Sequence, residues 1–484
     1  MTTHLQFGTD GIRGVAGEFP LDPTTVFAIG RALGVWLKTT AQPNKADLGT
    51  VILGRDPRIS SDFLAHTLAL GLLAEGITVV DRRVISTPGI AYLTVAEHHA
   101  LGIMITASHN PAEQNGIKVF GADGYKLNDE AEQAIIRLVD GQHTPLSAFP
   151  GRLTYHHMDT DAYERDLLKA CAGIGLENLT IILDMANGAG FFLAPGAFWR
   201  AGASVFTINA DPDGFNINVE AGSEYVRRDR TDLLTMIHKR HADMGFAFDG
   251  DADRLVCVTP DGMLVDGDHL LGILAVDLKN AGLLTGETVV ATEMSNSGLE
   301  DFLRREGITL LRTKVGDRYV MEAMRKGGYT LGGEQAGHII LRENNLTAGD
   351  GIYTALRLAA LCARRKRTDG ASLASLAAAI PRYPQVIASA HLDRRLDLTA
   401  LPGLEGKKRE TLEMFGGGRV NLRFSGTEPN VLRAMVEGGA HTPLEDVVRR
   451  ALLLCQMVAE AAHTESPLID IVDCVTGAPV RVKG

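Results

Sequence analysis

The sequence predicts an α/β protein built from several domains, and three observations support that fold class. The chain has 484 residues, enough for about three or four domains of ordinary size. Segments with helical spacing of apolar residues alternate with short apolar runs, which is the pattern of helices alternating with strands. In each of three successive blocks, a glycine-rich loop directly follows a predicted strand. We therefore expect an α/β architecture that is repeated along the chain.

Composition and charge exclude several classes of protein. Hydrophobic residues make up 45% of the chain and charged residues 22%, as in soluble globular proteins. No apolar stretch approaches the roughly 20 residues of a membrane span, so we expect no membrane insertion. A net charge of −11 argues against binding to nucleic acid or to anionic membrane surfaces. A small anionic substrate stays possible, because local arginines and lysines are enough to bind it.

The expected compartment is the cytoplasm. The N-terminal segment 1–7 lacks the basic and then apolar pattern of a signal peptide. The five cysteines are odd in number, widely spaced and free of CxxC pairs. That spacing predicts reduced, mostly buried thiols rather than a disulfide or zinc framework.

The first block covers residues 1–155 and opens with a glycine-rich segment that contains Arg13. Apolar periodicity, strand-forming runs and turn residues predict its elements in order. They are a helix at 21–38, a strand at 51–53, a helix at 60–75, strands at 77–80 and 101–105, a segment at 115–118 and a helix at 128–139. Ser60 stands where an N-cap of the second helix is expected. The stretch 141–151 contains proline and glycine and is the first plausible linker.

Three further blocks follow, at 156–262, 263–380 and 381–484. The same patterns predict their elements, block by block. In the second block they are helices at 161–170 and 231–240 and strands at 180–183 and 244–248, the last continued by 255–258. In the third they are a strand at 288–291, a loop at 316–318 and a helix at 350–365. In the fourth, which is smaller, they are a strand at 420–424 and a helix at 444–462.

Ser108 is a candidate reactive residue because it lies on a loop at the end of the predicted strand 101–105. His109 beside it is a candidate cation. A serine in that position can act as a nucleophile or as a phosphate carrier. An ordinary turn serine has the same surroundings, so the chemical interpretation depends on the other segments.

Three carboxylates, Asp249, Asp251 and Asp253, stand close together at the end of a predicted strand. They repel one another unless they face solvent or bind a cation, and hard oxygen ligands suit Mg²⁺. An EF-hand loop starting at Asp249 needs a glycine and a glutamate where Arg254 and Pro260 stand. Apolar residues on both sides place the group at a core strand rather than in an exposed acidic turn. We therefore predict a Mg²⁺ site.

Arg423 and the residues after it combine a guanidinium, two hydroxyls and backbone N–H groups beside a glycine. The residues that follow Arg423 in this segment are Ser425, Gly426 and Thr427. These groups can hold a phosphate. A plain turn bounded by Pro429 is the alternative.

Glu334 and His338 lie on a further glycine-rich loop, next to Gly333 and Gly337. A carboxylate on such a loop can accept hydrogen bonds from two neighbouring sugar hydroxyls. A structural role of Glu334 in the turn is the alternative.

Taken in order, four segments resemble the active-site loops of the α-D-phosphohexomutases, with one segment in each block. They are Thr106–Pro111, Asp249–Arg254, Gly333–His338 and Arg423–Pro429. Three more segments resemble the bacterial branch of that superfamily that acts on glucosamine phosphate. They are Phe7–Gly14, Met294–Glu300 and Lys314–Val320.

The resemblance implies a four-domain, heart-shaped molecule with three α/β domains that have mixed sheets and a smaller α+β domain at the C-terminal end. Each domain would contribute one loop to a central cleft. The implied reaction is an isomerisation of an amino sugar phosphate, the interconversion of glucosamine 6-phosphate and glucosamine 1-phosphate for cell-wall precursors. It would proceed through a phosphoserine and a sugar bisphosphate.

The resemblance also implies roles for individual residues. Ser108 would carry the phosphoryl group, with Mg²⁺ between its phosphate and the three aspartates. His109, Lys118 and Arg254 would supply positive charge, and either His109 or Lys118 would act as the base. The residues expected to bind the substrate are Arg13, Glu334, His338, Arg423, Ser425, Gly426 and Thr427.

Three alternatives stay open. A phosphomannomutase or phosphoglucomutase would use the same mechanism on another sugar. Ala336 stands where mutases of this superfamily usually have serine, which leaves the choice of sugar open. A Mg²⁺-dependent phosphatase with an aspartate nucleophile is a second alternative, but that class has threonine or valine at the position of Asp253. A sugar-phosphate sensor without activity would not need both Ser108 and all three aspartates. For the assembly, the resemblance suggests a homodimer.

Overall fold

The structure is a computed structural model of the chain. The residues that it describes are 5–8, 11–40, 49–141, 147, 149–156, 161–343, 346–424, 430–462, 464, 469–474 and 479–480. Positions 9 and 10 of the glycine-rich opening lie outside them, and so do 142–146 and 148 of the predicted linker. Among the described helices, none combines the length and the apolar character that crossing a bilayer requires.

The described strands form four sheets that follow one another along the chain. We call each sheet with its neighbouring helices a unit and number the units in chain order. The first three sheets mix parallel and antiparallel neighbours, whereas the described strand pairs of the fourth are all antiparallel. The predicted architecture of three α/β parts and a smaller α+β part is therefore confirmed. The domain boundaries at 155, 262 and 380 stay predictions.

Unit 1 has six strands in the spatial order β1-β5-β4-β2-β3-β6. Its strands are β1 (Ile12–Val15), β2 (Thr50–Arg55), β3 (Thr78–Val84), β4 (Leu101–Ile105), β5 (Gln114–Gly121) and β6 (Leu153–Tyr155). Its helices are α1 (Pro23–Thr40), α2 (Ser61–Ala74), α3 (Thr87–Ala96) and α4 (Asp129–Asp140). Because β2, β3 and β4 are parallel, their carboxyl ends lie at one edge of the sheet, and the loop with Ser108 opens there.

Unit 2 has five strands in the order β11-β10-β9-β7-β8. Its strands are β7 (Thr180–Asp184), β8 (Ser204–Ile208), β9 (Met244–Phe248), β10 (Leu255–Val258) and β11 (Leu264–Val265). Its helices are α5 (Asp161–Lys169), α6 (Leu193–Arg200), α7 (Gly222–Val226) and α8 (Thr231–Arg240). The prediction that 255–258 continues β9 is wrong, because β10 returns antiparallel to β9 with Leu255 opposite Phe248. The chain reverses in the turn 249–254, which we call the acidic turn, where Ala252 has a φ of 59°.

Unit 3 has four strands in the order β13-β12-β14-β15. Its strands are β12 (Thr288–Thr292), β13 (Thr309–Thr313), β14 (Leu331–Gly333) and β15 (Ile339–Leu341). Its helices are α9 (Gly267–Asn280), α10 (Ser297–Arg305), α11 (Asp317–Gly327), α12 (Gly351–Thr368) and α13 (Leu373–Ala378). The loop predicted at 316–318 is in fact the beginning of α11, with Gly316 at its N-cap and a φ of 130° that glycine tolerates.

Unit 4 has four strands in the order β17-β18-β16-β19, with α15 packed against β16 and β18. Its strands are β16 (Gln385–His391), β17 (Arg419–Phe424), β18 (Val431–Glu437) and β19 (Ile469–Asp473). Its helices are α14 (Leu404–Phe415) and α15 (Leu444–Ala461).

Units 2 and 3 share one continuous hydrophobic core, which also includes residues on and near α3 of unit 1, whereas unit 4 has its own. The helix α12 contacts β9 and β10 of unit 2 and β15 of unit 3, and it is buried along most of its length. The buried apolar side chains of the unit 4 core all lie between residues 386 and 471. The position of unit 4 against unit 3 therefore depends on contacts other than a shared core.

Two details of unit 1 differ from the sequence patterns. Ser60 precedes α2, but its side chain makes no capping hydrogen bond; its hydroxyl accepts from Asn115 Nδ2 at 2.9 Å instead. The helix α3 escapes prediction because it is buried along most of its length, so its apolar residues show no helical period.

Candidate active site

Ser108 lies directly after β4 in a strained backbone conformation. Its φ is 54°, in the left-handed region that residues with a side chain rarely adopt. Its amide donates to Thr106 Oγ1, and its carbonyl accepts from Arg58 and Asn218, each at 2.9 Å. Strain of this kind costs about 1–3 kcal/mol and persists only where the surroundings impose it. The fold therefore holds this serine in one place.

The acidic turn of unit 2 meets Ser108 directly. Ser108 Oγ donates to Asp249 Oδ2 at 2.5 Å, although the two residues are 141 positions apart. The backbones approach so closely that a Cβ added to Gly250 would lie 2.5 Å from the Ser108 carbonyl oxygen. The absence of a side chain at position 250 is therefore a condition for the two loops to meet.

Asp249, Asp251 and Asp253 form a buried group whose ligand oxygens lie within 4.8 Å of one another. The Oδ1 atoms of Asp251 and Asp253 are buried without a hydrogen-bond partner among the described residues. Burial, followed by the charges of Asp253 and Asp251, raises the pKa of Asp249 well above its usual value. A cation relieves this repulsion, and an all-oxygen donor set suits a hard divalent ion. The three aspartates therefore fit a metal site.

Lys118 on β5 points its ammonium group at the same carboxylates. Its side chain is 1% exposed, and Nζ donates to Asp251 Oδ2 at 2.8 Å and to Asp253 Oδ2 at 3.4 Å. The hydroxyl of Thr87 also donates to Asp251. Burial by itself would raise the pKa of Asp253, but Lys118 and His338 outweigh it and hold that pKa well below its usual value. Lys118 thus offsets part of the negative charge of the acidic turn.

His109 lies next to the Ser108 hydroxyl and close to two arginines. Its Nδ1 is 3.3 Å from Ser108 Oγ. The charge of Arg254, followed by burial, lowers the pKa of His109 to about 4, and Arg13 acts in the same direction. The imidazole is therefore neutral at pH 7 and can accept a proton.

Glu224 on α7 is a charged neighbour that no sequence pattern indicates. Its Oε1 accepts from Arg254 Nη1 at 2.9 Å. Burial would raise the pKa of Glu224, but Arg227 and Arg254 outweigh it and lower the pKa to about 2. Burial likewise opposes the charge of Arg254, but Glu224 and Asp249 outweigh it and raise the pKa of Arg254 above its usual value. Arg254 is therefore a fixed, permanent cation beside His109.

The glycine-rich loop of unit 3 brings Glu334 and His338 to the acidic turn. His338 Nδ1 lies 3.6 Å from Asp253 Oδ1, and its Nε2 lies 3.7 Å from Asp317 Oδ2. Burial would lower the pKa of His338, but Asp253 and Asp317 outweigh it and raise the pKa. Glu334 Oε1 accepts from the amide of Gly316 at 3.1 Å, while burial and then Asp317 raise the pKa of Glu334. The loop thus connects the acidic turn to the beginning of α11.

Gln335, between these two residues, points away from the acidic turn. It is buried, and its Nε2 donates to Asp268 Oδ2 and to Gln385 Oε1, each at 3.2 Å. Its neighbours Glu334 and Ala336 are half-buried. Gln335 therefore joins unit 3 to the first strand of unit 4.

Arg423 lies on β17 directly opposite Arg433 on β18. Burial and then Arg433 lower the pKa of Arg423, while Glu293 and Glu334 act in the opposite direction. Like charges that face each other across two strands repel, so a bound anion stabilises such a pair. The other residues of the predicted phosphate-binding segment lie outside the described residues; they are Ser425, Gly426 and Thr427.

Most of the predicted site residues contact one another in a single region. These residues are Ser108, His109, Lys118, Asp249, Asp251, Asp253, Arg254 and His338. Arg13 and Glu334 interact with this region electrostatically, and Arg423 interacts in the same way with Glu334. Sequence reasoning missed Arg58, Glu224 and Arg433. Of these, Arg58 follows a predicted strand in a polar turn, the signal that singles out Ser108, whereas the other two have no local signal.

Known proteins match this chain over most of its length. Family models for the α/β/α domains I, II and III of phosphoglucomutase/phosphomannomutase match residues 4–145, 161–262 and 266–383. A phosphoglucosamine mutase from Thermoanaerobacter sp. (strain X514) is 43% identical over 452 residues, which is 92% of this chain and 97% of the relative. A phosphoglucosamine mutase from Symbiobacterium thermophilum is 42% identical over 464 residues, which is 95% of this chain and 99% of the relative.

A solved structure agrees with these sequence matches. It is a phosphoglucomutase/phosphomannomutase family protein from Burkholderia thailandensis with a TM-score of 0.75 and 26% identity. The match covers 94% of this chain and 98% of that structure. The three matched domain models and the relatives of nearly full length lead to one conclusion: the chain belongs to the phosphoglucomutase/phosphomannomutase family.

Proposed function

We propose that the chain is a phosphoglucosamine mutase that interconverts glucosamine 6-phosphate and glucosamine 1-phosphate. Two relatives with that name are similar to it over nearly their whole length. The observation that carries the chemistry is the 2.5 Å contact between Ser108 Oγ and Asp249 Oδ2. It sets a hydroxyl that can carry a phosphoryl group against carboxylates that fit a divalent cation.

The proposed reaction transfers a phosphoryl group twice. In the first transfer the bond between phosphorus and Ser108 Oγ breaks, and a bond to the free sugar hydroxyl forms, giving a sugar bisphosphate. The hydroxyl proton passes through His109 to Ser108 Oγ, which is 3.3 Å from His109 Nδ1. After the sugar reverses in the cleft, its other phosphate returns to Ser108 and the proton moves back. The net result is an isomerisation in which Ser108 is phosphorylated again.

Two candidates for the base differ in their surroundings. The ammonium of Lys118 donates to two carboxylates, so it serves to neutralise charge. The imidazole of His109 is neutral and lies beside the reacting oxygen. We therefore assign proton transfer to His109 and charge balance to Lys118 and Arg254.

The proposed metal is Mg²⁺, held by Asp249, Asp251, Asp253 and the phosphate of Ser108. When bound, it supplies positive charge that stabilises the charge developing on the transferred phosphoryl group. The buried Oδ1 atoms of Asp251 and Asp253, which lack hydrogen-bond partners among the described residues, support this assignment.

Substrate binding is proposed to use both ends of the cleft. Glu334 accepts hydrogen bonds from neighbouring ring hydroxyls of the sugar, and His338 lies beside it. Arg423, with Ser425, Gly426 and Thr427, holds whichever phosphate is distal to Ser108, and Arg13 adds positive charge near His109. Because the sugar reverses between the two transfers, each of these groups has to accept two orientations of the substrate.

The mechanism is tested on Ser108. Peptide mass spectrometry of freshly purified protein should find a phosphate on this residue, and Ser108→Ala should abolish turnover. Ser204→Ala, on an exposed strand end of unit 2, is the matched control and should keep full activity. Parental activity of Ser108→Ala would rule out the phosphoserine mechanism.

The sugar is tested in a coupled assay that compares kcat/KM for glucosamine, glucose and mannose phosphates. Glucosamine phosphate should be preferred. The margin should be modest, because Ala336 donates no hydrogen bond, and one neutral hydrogen bond is worth about 0.5–1.5 kcal/mol, roughly two- to tenfold. A preference for mannose or glucose phosphate would instead identify a phosphomannomutase or phosphoglucomutase with the same mechanism.

The compartment and the assembly are also proposals. All five cysteines are free and buried, as expected for a protein of the reducing cytoplasm. A homodimer is the assembly that the family resemblance suggests, and light scattering of the purified protein tests it.

A further inference from the structure

Unit 4 is joined to unit 3 through an ion pair of a half-buried arginine and a buried glutamate, both of which also bind residues of unit 3. Glu437, the last residue of β18, has a side chain that is 0% exposed, and Arg419, the first residue of β17, lies directly opposite it. Arg419 Nη2 is 2.6 Å from Glu437 Oε2. Both residues belong to unit 4, yet each also binds the segment 293–297 of unit 3, which leads from β12 into the first residue of α10.

Glu437 binds the beginning of α10. Its Oε1 accepts from the amide of Ser297 at 2.6 Å, and its Oε2 accepts from the Ser297 hydroxyl at 2.9 Å. Ser297 is the first residue of α10, where amide groups have no partner within the helix. A carboxylate is also favoured there by the positive end of the helix dipole. Glu437 of unit 4 thus accepts the hydrogen bond of an amide at the N-terminus of α10 in unit 3 that has no partner within that helix.

Arg419 binds the carbonyl groups of the same segment. Its Nη1 donates to the Glu293 carbonyl at 2.6 Å, and its Nη2 donates to the Ser295 carbonyl. Its Nε donates to Glu437 Oε2 at 2.6 Å. The planar guanidinium can serve all three acceptors at once, which a lysine ammonium on a flexible stem does less well.

The geometry of β17 connects this contact to the predicted phosphate-binding segment. Alternate residues of a strand point to the same face, so Arg419 and Arg423 share a face of β17. Arg423 is influenced by the charges of Glu293 and Glu334, which belong to unit 3. Holding Arg419 against the carbonyl of Glu293 therefore also sets where Arg423 lies.

We propose that Arg419 and Glu437 are positioning residues, which hold Arg423 at a fixed place across the cleft from Glu334 by clamping unit 4 to the segment 293–297. We call these two residues and Ser297 the clamp. The proposal rests on the proposed function, since it assumes that Arg423 binds the distal phosphate. Because unit 4 has its own hydrophobic core, polar contacts of this kind decide its position.

Ser297→Pro is the sharpest variant because it changes the clamp without changing unit 4. Proline is well accepted at the first position of a helix, and Asn296 before it already has the extended conformation that proline requires, with φ −62° and ψ 142°. The substitution removes both donors that Ser297 offers to Glu437, its amide and its hydroxyl. Ser297→Ala keeps the amide donor and should have a smaller effect.

Arg419→Ala and Arg419→Lys test the other half of the clamp, and Arg419→Lys should lose less than Arg419→Ala.

The matched control is Arg450→Ala. Arg450 and Glu410 also form an ion pair with a distance of 2.9 Å, but both residues lie on the helices of unit 4. Its loss should leave the position of unit 4 unchanged.

Two measurements decide the proposal. The first is the distance between spin labels on Lys326→Cys in unit 3 and Arg409→Cys in unit 4, both exposed positions in a protein whose own five thiols are buried. It should become longer and broader in Ser297→Pro and Arg419→Ala, and stay parental in Arg450→Ala. The second is KM for glucosamine 6-phosphate, which should rise at least about tenfold, more than kcat falls. The phosphate content of Ser108 should not change.

The outcomes separate the clamp from the proposed function. Parental distances in both clamp variants would overturn the proposal, whatever KM does. If the parent protein converts none of the sugar phosphates, the proposed function fails, but the distances still decide whether the clamp exists. Should Arg419→Ala lose its folded circular dichroism signal, Ser297→Pro decides, since it leaves the core of unit 4 intact.

Discussion

At the scale of single residues, the acidic turn is a balance between buried charges of opposite sign. Asp251 shares its carboxylate between Lys118 and Thr87, whereas Asp249 has the hydroxyl of Ser108 and a backbone amide as donors. Removing the charge of Asp249 therefore relieves repulsion. Removing the charge of Asp251 instead leaves the buried ammonium of Lys118 without the nearer of its two carboxylate partners. Three carboxylates that look equivalent in the sequence thus have different roles in the apo fold.

This difference gives a prediction for the asparagine variants. Asp249→Asn should be at least as stable as the parent in metal-free urea unfolding. Asp251→Asn should lose about 3 kcal/mol, because the nearer partner of the buried Lys118 ammonium is removed while Asp253 remains. Both variants should raise the Mg²⁺ requirement or abolish turnover. Equal unfolding free energies of the two metal-free variants would contradict the assigned role of Lys118, and parental Mg²⁺ titrations would contradict the ligand assignment.

At the scale of elements, α12 is the helix that joins units 2 and 3. Asp350 caps its N-terminus by accepting from the amide of Tyr353 at 2.9 Å. The same carboxyl accepts from the hydroxyl of Tyr163, on α5 of unit 2, at 2.7 Å. Burial raises the pKa of Asp350 to about 6, despite these hydrogen bonds. The Asp350 carboxyl therefore both caps α12 and links units 2 and 3, and its protonation depends on pH.

The sign of the pH dependence follows from this raised pKa. The folded protein holds the proton on Asp350 more tightly than the unfolded chain, whose carboxyl titrates near 4. Its stabilising contribution is full below about pH 4 and is lost as pH rises to about 6, by up to about 3 kcal/mol. In Asp350→Asn this decline in the free energy of unfolding should disappear, whereas exposed Asp470→Asn should keep it. Urea unfolding from pH 4 to pH 7 measures it, and identical slopes in Asp350→Asn and the parent would contradict the assignment.

At the scale of the whole molecule, polar contacts join the units next to the candidate active site. Unit 1 meets unit 2 where Ser108 contacts Asp249. Unit 1 meets unit 3 through Lys126 and Asp317, whose charged atoms are 2.6 Å apart. Unit 3 meets unit 4 through the clamp. Each contact lies close to a residue with a proposed role in binding or catalysis, so a small shift of one unit changes the site.

Gly250→Ala tests how closely units 1 and 2 have to approach. The added methyl group would lie 2.5 Å from the Ser108 carbonyl oxygen and would push the two loops apart. A displacement of that order should lower kcat/KM about hundredfold while the protein stays folded. Gly406→Ala is the control, because a Cβ there meets nothing within 4 Å and lies in α14, where alanine should stabilise by about 0.5–1 kcal/mol. Parental activity of Gly250→Ala would show that the close approach is not required.

The sequence by itself determined the features that depend on neighbours along the chain. Apolar runs and turn residues located β4 and β9, the loops with Ser108 and Asp249 after them, and the helix α8 at its observed bounds. The order of four motifs indicated the family, which the family models and relatives confirm. These features are local because a strand, a turn or a motif is specified by residues close together in the chain.

Only the tertiary structure decided which residues face one another. It showed that β10 reverses on β9, that Gln335 points to Gln385 instead of the cleft, and that Glu224 holds Arg254. It also brought Arg419 and Glu437 of one unit to a helix of another. In a strand, a shift of one residue moves a side chain to the opposite face. Contacts between residues far apart in the chain depend on how whole elements and units pack, and no local pattern carries that information.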